Sequence, residues 1–162
     1  MTADEVDRLV EAWQRERPDL DVDPMRVLSR VTRLARHLDL ARRQAFAAHG
    51  LETWEFDVLS ALRRSGTPYE LSPGRLIRET MVTSGTMTNR VDRLAGRGFV
   101  ERYPDPADRR GVIVRLTPEG KAAVDGAFAA LLEAERELLA DLPARDQQRL
   151  AGLLRTLLAP FS

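Results

Sequence analysis

Cysteine is absent from the 162 residues of this chain, and histidine occurs only at His37 and His49. The absence of cysteine excludes a disulfide framework, a thiolate nucleophile, a thiol redox sensor and a cysteine-based zinc site. Two histidines do not favour a histidine-rich zinc site within one chain. Because the sequence also lacks a glycine-rich phosphate loop and an acid–base constellation, we expect no enzymatic activity and no cofactor.

Long apolar runs are also missing. No stretch approaches the roughly 18 consecutive apolar residues of a membrane span. The first residues, MTADEVDRLVEAW, are acidic and amphipathic, whereas a secretory signal begins with basic residues followed by an apolar run. These features predict a cytoplasmic protein with no membrane partner.

The net charge is zero at neutral pH, which by itself does not favour a nucleic-acid partner. The charges are nevertheless unevenly distributed along the chain. Residues 72–115 contain nine arginines and five acidic residues, whereas the first 24 residues contain eight acidic residues and three arginines. The planar guanidinium group of arginine suits phosphate groups and base edges. The central segment is therefore where we expect a nucleic acid to bind.

Hydrophobic periodicity and capping residues predict five helices in the first 96 residues. Ser72 and Pro73 are typical of an N-cap followed by proline at the first helical position, so a short helix begins there. Either Thr83 or Ser84 can cap the helix that follows. The predicted helices are 4–16, 24–50, 51–65, the short helix opening at 72, and 84–96. The last two, joined by a brief turn, describe a helix-turn-helix.

The next segment reads as a β-hairpin, with strands over residues 99–103 and 112–116 around a charged turn. Pro118 then opens a helix that extends to about residue 143, and a leucine-rich helix closes the chain. The predicted fold class is mainly α with a small β-hairpin, as in a winged helix-turn-helix with a helical dimerisation region. We assign residues 51–117 to the DNA-binding region, and 1–50 and 118–162 to dimerisation, in one continuous domain.

The terminal helical regions have apolar faces wider than a short helix buries within its own monomer. A homodimer interface would cover these faces. Packing within one chain is the alternative, and the sequence alone leaves it open.

The helix over 84–96 has the composition of a DNA-reading element. Met87, Val91 and Leu94 share one face, which leaves hydroxyl, amide and guanidinium groups on the others. Such groups match the donors and acceptors of base edges in the major groove, although an ordinary polar surface looks similar. In the hairpin, acids can orient adjacent arginines toward the minor groove. The candidate DNA-binding residues are Ser84, Thr86, Thr88, Asn89, Arg93, Asp108, Arg109 and Arg110.

Four segments carry a family resemblance: residues 84–94 (SGTMTNRVDRL), 97–102 (RGFVER), 105–110 (DPADRR) and 116–120 (LTPEG). Together they resemble the MarR (multiple antibiotic resistance regulator) family. The resemblance implies a homodimer whose first and last helices intertwine and which binds a palindromic operator in double-stranded DNA. It also implies that the 84–96 helix enters the major groove and that Arg110 reaches the minor groove.

The N-terminal segment is similar to that of a narrower subgroup, the urate-responsive regulators, which carry an extra first helix. The resemblance implies ligand-binding residues at Trp13, Asp57, Arg90 and Arg102. Arg90 lies beside the apolar face of its helix, so it can turn inward while Arg93 faces DNA. Two arginines, an aspartate and an indole suit a small planar anion such as urate, or a tricarboxylate, whose binding would release a repressor. A purely structural Asp–Arg pair, with Trp13 in the core, is the alternative.

A helical protein-interaction adaptor without DNA binding is the rival function, and the neutral net charge favours it. Binding to duplex DNA must weaken as salt rises, whereas an adaptor shows no such dependence.

Overall fold

The computed structural model describes residues 3–161 and contains mostly helices with one small sheet. The elements are α1 (Glu5–Glu16), α2 (Pro24–Ala47), α3 (Thr53–Arg64), β1 (Glu70–Leu71), α4 (Pro73–Thr80), α5 (Ser84–Gly96), β2 (Val100–Pro104), β3 (Val112–Leu116), α6 (Pro118–Leu138) and α7 (Ala144–Leu158), followed by a 3-10 helix (Ala159–Phe161). Among these helices, none is long and apolar enough to cross a membrane. The chain divides into two compact units, one ending at Ala41 and the other beginning at Arg42.

The first unit contains α1 and most of α2. Asp4 caps α1 by accepting a hydrogen bond from the backbone N–H of Asp7 at 2.9 Å. Val6 and Val10 are buried in a small cluster with Val22. The helix predicted over residues 4–16 is therefore present, and its apolar face is the one that is buried.

Ion pairs join α1 to α2 around this cluster. Arg30 donates to Asp4 and Asp7, each at 2.9 Å, and Arg33 lies 3.2 Å from Glu5. The pKa of Asp7 is lowered chiefly by Arg30 and that of Glu5 by Arg33, whereas the pKa of Asp4 is lowered first by the Asp7 backbone N–H and then by Arg30.

We expect the contact between α1 and α2 to weaken as the pH falls below about 4. Lowered carboxylate pKa values stabilise the folded form above the unfolded pKa, and this contribution is lost on acidification through the folded pKa. Hydrogen-exchange protection of α1 amides should therefore decrease between pH 6 and pH 3 before that of α6. Arg30→Ala should lower α1 protection already at pH 6, whereas Arg8→Ala should not. Protection of α1 that is independent of pH and of Arg30 would contradict this prediction.

The second unit contains the winged helix. Its core forms where α3, α4 and α5 meet the sheet and α6, and it contains fully buried Leu59, Leu62 and Leu76. Phe46, near the end of α2, stacks on Phe56 of α3 with ring centroids 4.0 Å apart. The helix-turn-helix predicted from the sequence is thus built on a packed scaffold.

The sheet has three antiparallel strands in the order β1-β3-β2, so the two-stranded hairpin predicted from sequence was incomplete. The predicted strands are present as β2 and β3, with Val100 opposite Leu116 and Pro104 opposite Val112. The additional strand pairs Glu70 with Arg115. A two-residue strand is too short to show the alternation of apolar and polar residues that indicates a strand. Hydrophobic periodicity therefore did not predict β1.

Local capping explains where the helices begin. Ser72 and Thr117 are N-caps, each followed by proline, and Thr83, not Ser84, caps α5. The helix predicted to reach residue 143 is shorter, since α6 ends at Leu138. α2 also ends at Ala47, before the predicted position near residue 50.

Candidate nucleic-acid interface

The orientation of α5 follows from its buried face. Met87, Val91 and Leu94 are almost completely buried, as the sequence predicted. The candidate DNA-binding residues of this helix, Ser84, Thr86, Thr88, Asn89 and Arg93, are all exposed. At the start of the helix the Thr83 hydroxyl accepts a hydrogen bond from Thr86 N at 3.3 Å. The first two turns of α5 therefore present hydroxyl and amide groups to solvent, and the start of the helix is capped.

Two arginines of α5 lie over the indole ring of Trp54. The guanidinium carbon Cζ is 5.5 Å from the ring for Arg90 and 4.8 Å for Arg93. Arg93 also pairs with Glu52, with Nη2 and Oε2 3.5 Å apart. The sequence suggested that Arg90 turns inward while Arg93 faces DNA, and it did not predict that both arginines contact Trp54. Arg90 is half-buried and Arg93 exposed, but both contact α3.

A third arginine anchors the C-terminal end of α5. Arg97 donates from Nη1 to the buried carboxylate of Glu55 at 2.5 Å and from Nη2 to the carbonyl oxygen of Gly50 at 2.8 Å. Its guanidinium group also lies 4.6 Å from the ring centroid of Phe99. Glu55 accepts a further bond from Glu52 N at 2.9 Å. Glu55 is buried whereas Arg97 remains partly exposed, and this pair ties α5 to the start of α3.

The wing tip is organised by its two aspartates. Asp105 Oδ1 accepts from Ala107 N at 2.8 Å, and Asp108 Oδ1 accepts from Arg110 N at 3.0 Å. The sequence reasoning expected these acids to orient guanidinium groups, but they bind backbone N–H groups and shape the turn instead. Within residues 3–161, neither Arg109 nor Arg110 forms an ion pair, and both are exposed. Both guanidinium groups are thus available to a phosphate.

The wing lies beside the exposed side of α5. Arg102 of β2 forms a close ion pair with Asp92 of α5. Arg102 also lines a shallow cavity of about 370 Å³ with Arg109 and Arg110. This ion pair links the two elements that carry the candidate DNA-binding residues.

A second network stiffens the sheet. Arg115 Nε donates to Glu70 at 2.6 Å, and its Cζ lies 5.0 Å from the ring centroid of Tyr103. Hydrogen bonds from Tyr103 and Arg115 lower the pKa of Glu70, while burial raises the pKa of Tyr103. The additional strand β1 is therefore held to the wing through side chains as well as through its backbone.

Asp57 is the centre of the candidate ligand site. Its carboxylate lies 3.9 Å from Arg42, and burial raises its pKa while Arg42, Arg90 and Arg64 oppose that rise. A cavity of about 580 Å³ is lined by Asp57, Arg90, Trp54 and Arg43 among others, and a second, of about 570 Å³, adjoins Asp57 on the side of Arg42 and Phe128.

The structure brings together two of the four predicted ligand residues, Asp57 and Arg90. Arg102 is engaged with Asp92 in the wing. Trp13 lies on α1 in the first unit, where 46% of its surface is exposed, so it is not a core residue of that unit. The indole that lines the cavity with Asp57 and Arg90 is that of Trp54.

Comparison with known proteins identifies the family. The sequence pattern that defines the MarR family matches residues 49–111. The transcriptional regulator PecS of Dickeya dadantii is 38% identical over 150 residues, which cover 93% of this chain and 90% of PecS. The chain belongs to the MarR family. It is a DNA-binding transcription regulator, as its sequence predicted.

Solved structures of MarR-family proteins show the same architecture. A mutant of Escherichia coli MarR in complex with operator DNA is 27% identical and superposes with a TM-score of 0.68, covering 86% of this chain and 99% of that one. Bordetella bronchiseptica BpsR, whose structure was described as showing a mechanism for regulation of DNA binding by 6-hydroxynicotinic acid, is 27% identical. Its TM-score is 0.60, covering 79% of this chain and 98% of BpsR. The winged-helix fold predicted from the sequence is confirmed.

The match to the MarR family covers the elements that carry the candidate interface. Residues 49–111 extend from the start of α3 through α5 to the end of the wing turn. They include every candidate DNA-binding residue and three of the four candidate ligand residues, but not Trp13. The sequence analysis did not identify Glu52 or Arg97 as site residues. Their partners, Arg93 and Glu55 respectively, lie some 40 residues away along the chain, and such a separation leaves no local signal.

Proposed function

We propose that this MarR-family regulator binds a palindromic operator in double-stranded DNA as a homodimer, with α5 in the major groove and the wing in the minor groove. In this arrangement Ser84, Thr86 and Asn89 face base edges, and Thr88 and Arg93 lie beside the DNA backbone. The wing tip, with Asp108, Arg109 and Arg110, enters the minor groove. The observation that carries the proposal is the exposed polar side of α5, linked through Asp92 and Arg102 to a wing whose two tip arginines have no ion-pair partner within residues 3–161.

The homodimer is supported by apolar side chains that one chain leaves uncovered. Helix α7 has no buried residue, and Leu153, Leu154, Leu157 and Leu158 are between 37% and 61% exposed. Phe128 of α6 is half exposed. In the first unit, Val27, Leu28, Val31 and Leu34 of α2 are between 40% and 56% exposed. Rows of exposed leucines of this kind favour association, and a second copy of the chain is the partner we propose. We assign residues 1–50 and 118–162 to this role.

The DNA-binding proposal is tested with a duplex selected in vitro from a random pool. Arg110→Ala should weaken binding to all duplexes by about 1 to 3 kcal/mol, or about 5- to 150-fold, because it removes a backbone or minor-groove contact. Asn89→Ala should cost a similar amount on the selected duplex but little on random DNA, because base contacts carry specificity. Fluorescence anisotropy at several salt concentrations measures both effects.

Arg136→Ala is the control for the loss of an arginine, since Arg136 pairs with Glu133 on the surface of α6. Unchanged affinity in both Arg110→Ala and Asn89→Ala would contradict the docking arrangement. Binding that does not depend on salt would favour a protein-interaction adaptor instead.

We further propose that a small anion, either planar urate or a tricarboxylate, binds beside Asp57 and Arg90 and releases the regulator, acting as a repressor, from DNA. The support is a half-buried carboxylate among arginines next to an indole, in a cavity bordered by α5 itself. The family resemblance also assigns Trp13 and Arg102 to the ligand set, although neither lines this cavity. A ligand that contacts Arg90 acts directly on the helix that reads DNA.

Gel-shift titration with urate and with citrate-like acids tests this second proposal. Either compound class should weaken DNA binding by the wild type, and Asp57→Asn and Arg102→Ala should each respond less. A wild type that responds to neither class, or an unchanged response in both variants, would rule out the assigned site.

A further inference from the structure

Three arginines on one stripe of α5 contact the segment that opens α3. Arg90, Arg93 and Arg97 are spaced three and four residues apart, so they lie in a row along the helix. Arg90 and Arg93 lie over Trp54, and Arg97 is bound by Glu55 and by the Gly50 carbonyl oxygen. Only Arg93 in this row belongs to the proposed DNA contacts, so its partners affect how it reaches DNA.

Glu52 connects the indole to Arg93. Its Oε2 atom accepts a hydrogen bond from Trp54 Nε1 at 2.8 Å and lies 3.5 Å from Arg93 Nη2. The indole N–H therefore positions the same carboxylate oxygen that faces the guanidinium group. Trp54 supplies the other half of the contact, with its ring 4.8 Å from Arg93 Cζ. The three side chains form a closed cluster at the start of α3.

The ion pair between Arg93 and Glu52 in this cluster can break at little energetic cost. The side chains of Arg93 and Glu52 are 58% and 64% exposed, and ion pairs in contact with water are weak. By contrast, the carboxylate that binds Arg97 is only 3% exposed. A DNA phosphodiester offers Arg93 the same kind of acceptor as Glu52, a pair of oxygens that share a negative charge. Arg93 can therefore exchange partners while Arg97 keeps the helix in place.

We infer that Glu52, positioned by Trp54, holds Arg93 in the free protein and competes with DNA phosphate for it. The inference rests on the proposed DNA-binding function. Glu52 and Trp54 are positioning residues, because they act through Arg93. Their effect is to lower the affinity for all DNA sequences alike, so that the base contacts of α5 make up a larger share of the total binding free energy.

The first measurement is DNA affinity in a double-mutant cycle. Glu52→Gln retains an oxygen that can accept the Trp54 N–H bond but removes the charge. It should bind DNA about threefold more tightly than wild type, the size expected for release of an exposed ion pair. Arg93→Ala should bind less tightly than wild type. In the Arg93→Ala background, Glu52→Gln should have no further effect, because Arg93 is the group that it releases.

The second measurement follows the Trp54 indole N–H resonance by NMR, identified by its loss in Trp54→Phe. Arg93→Ala should shift this resonance in the free protein, and DNA should shift it in the same direction in the wild type. A purely structural role for Glu52 would predict weaker binding and lower stability in Glu52→Gln, with no change at Trp54 on adding DNA.

The outcomes separate this inference from the proposed function. A wild type that shows no salt-dependent DNA binding overturns the proposed function and the inference together. Normal wild-type binding, combined with a Glu52→Gln variant that binds no more tightly, overturns the inference alone. A gain in affinity that persists in the Arg93→Ala background also overturns it, since general charge repulsion then explains the gain.

Discussion

Replacing Gly120 by alanine is expected to destabilise this regulator by about 3 kcal/mol, the upper end of the usual cost of overpacking. Gly120 is buried in the first turn of α6. A Cβ atom there would lie 2.9 Å from the carbonyl carbon of Phe99, closer still to its oxygen, and 3.0 Å from Leu116 Cδ1. The nearest atoms belong to the backbone, so they cannot rotate away as a flexible side chain would.

The contact at Gly120 joins the wing to α6. Thr117 caps α6 by accepting from Gly120 N at 3.0 Å, and it donates from its hydroxyl to Gly98 O at 2.7 Å. Thr117 N donates to Phe99 O at 3.0 Å. A methyl group at Gly120 would push α6 away from this junction and strain all three bonds. We therefore expect Gly120→Ala to affect DNA binding as well as stability.

Thermal unfolding at fixed protein concentration measures the effect, and the melting temperature should fall by about 6 to 12 °C. Gly96→Ala is the matched control, since no heavy atom lies within 4 Å of a Cβ at Gly96. It should leave stability unchanged or raise it slightly, because alanine favours helix. A Gly120→Ala protein as stable as Gly96→Ala would contradict the close approach described above.

Removal of the Arg97 side chain is the second change with a large expected effect. Arg97→Ala leaves the Glu55 carboxylate, which is only 3% exposed, without its cation; this should cost about 2 kcal/mol, less than for a fully buried pair, because the Arg97 side chain is 41% exposed. It also removes the bond to Gly50 O and the packing against Phe99. Because Arg97 anchors the end of α5, DNA affinity should fall in this variant even under conditions where the protein remains folded.

Chemical denaturation and anisotropy measure these two consequences. Arg97→Ala combined with Glu55→Gln should be less destabilised than the sum of the single variants, since the two residues interact directly. Arg136→Ala breaks an exposed ion pair and should change stability by no more than about 0.5 kcal/mol. If Arg97→Ala lowers the free energy of unfolding by no more than Arg136→Ala does, the Glu55–Arg97 pair is not what holds α5 in place.

Arg97 and Arg93 illustrate two uses of the same residue type on one helix. A carboxylate that is almost fully buried keeps Arg97 in one geometry, whereas the exposed carboxylate of Glu52 can release Arg93. A regulator needs both properties, because its recognition helix must be placed reproducibly and still exchange partners when DNA arrives. The cavity beside Asp57 borders the same helix, so a bound anion would act on this arrangement through Arg90.

Local chemistry in the sequence determined the secondary structure and the family. Capping by Ser72, Thr83 and Thr117 depends on residues within three positions, so the starts of α4, α5 and α6 can be read directly. The period of Met87, Val91 and Leu94 likewise determined which side of α5 is buried. The segments 84–94, 97–102, 105–110 and 116–120 together indicated a MarR-family winged helix.

Tertiary structure alone decided which side chains meet. The pair Glu55–Arg97 joins residues 42 positions apart, and β1 pairs with a strand that begins some 40 residues later. Neither leaves a periodic signal, because a contact of this kind depends on how whole elements pack. For the same reason the sequence did not reveal that packing of α5 on α3 places Arg93 on Trp54 and Glu52.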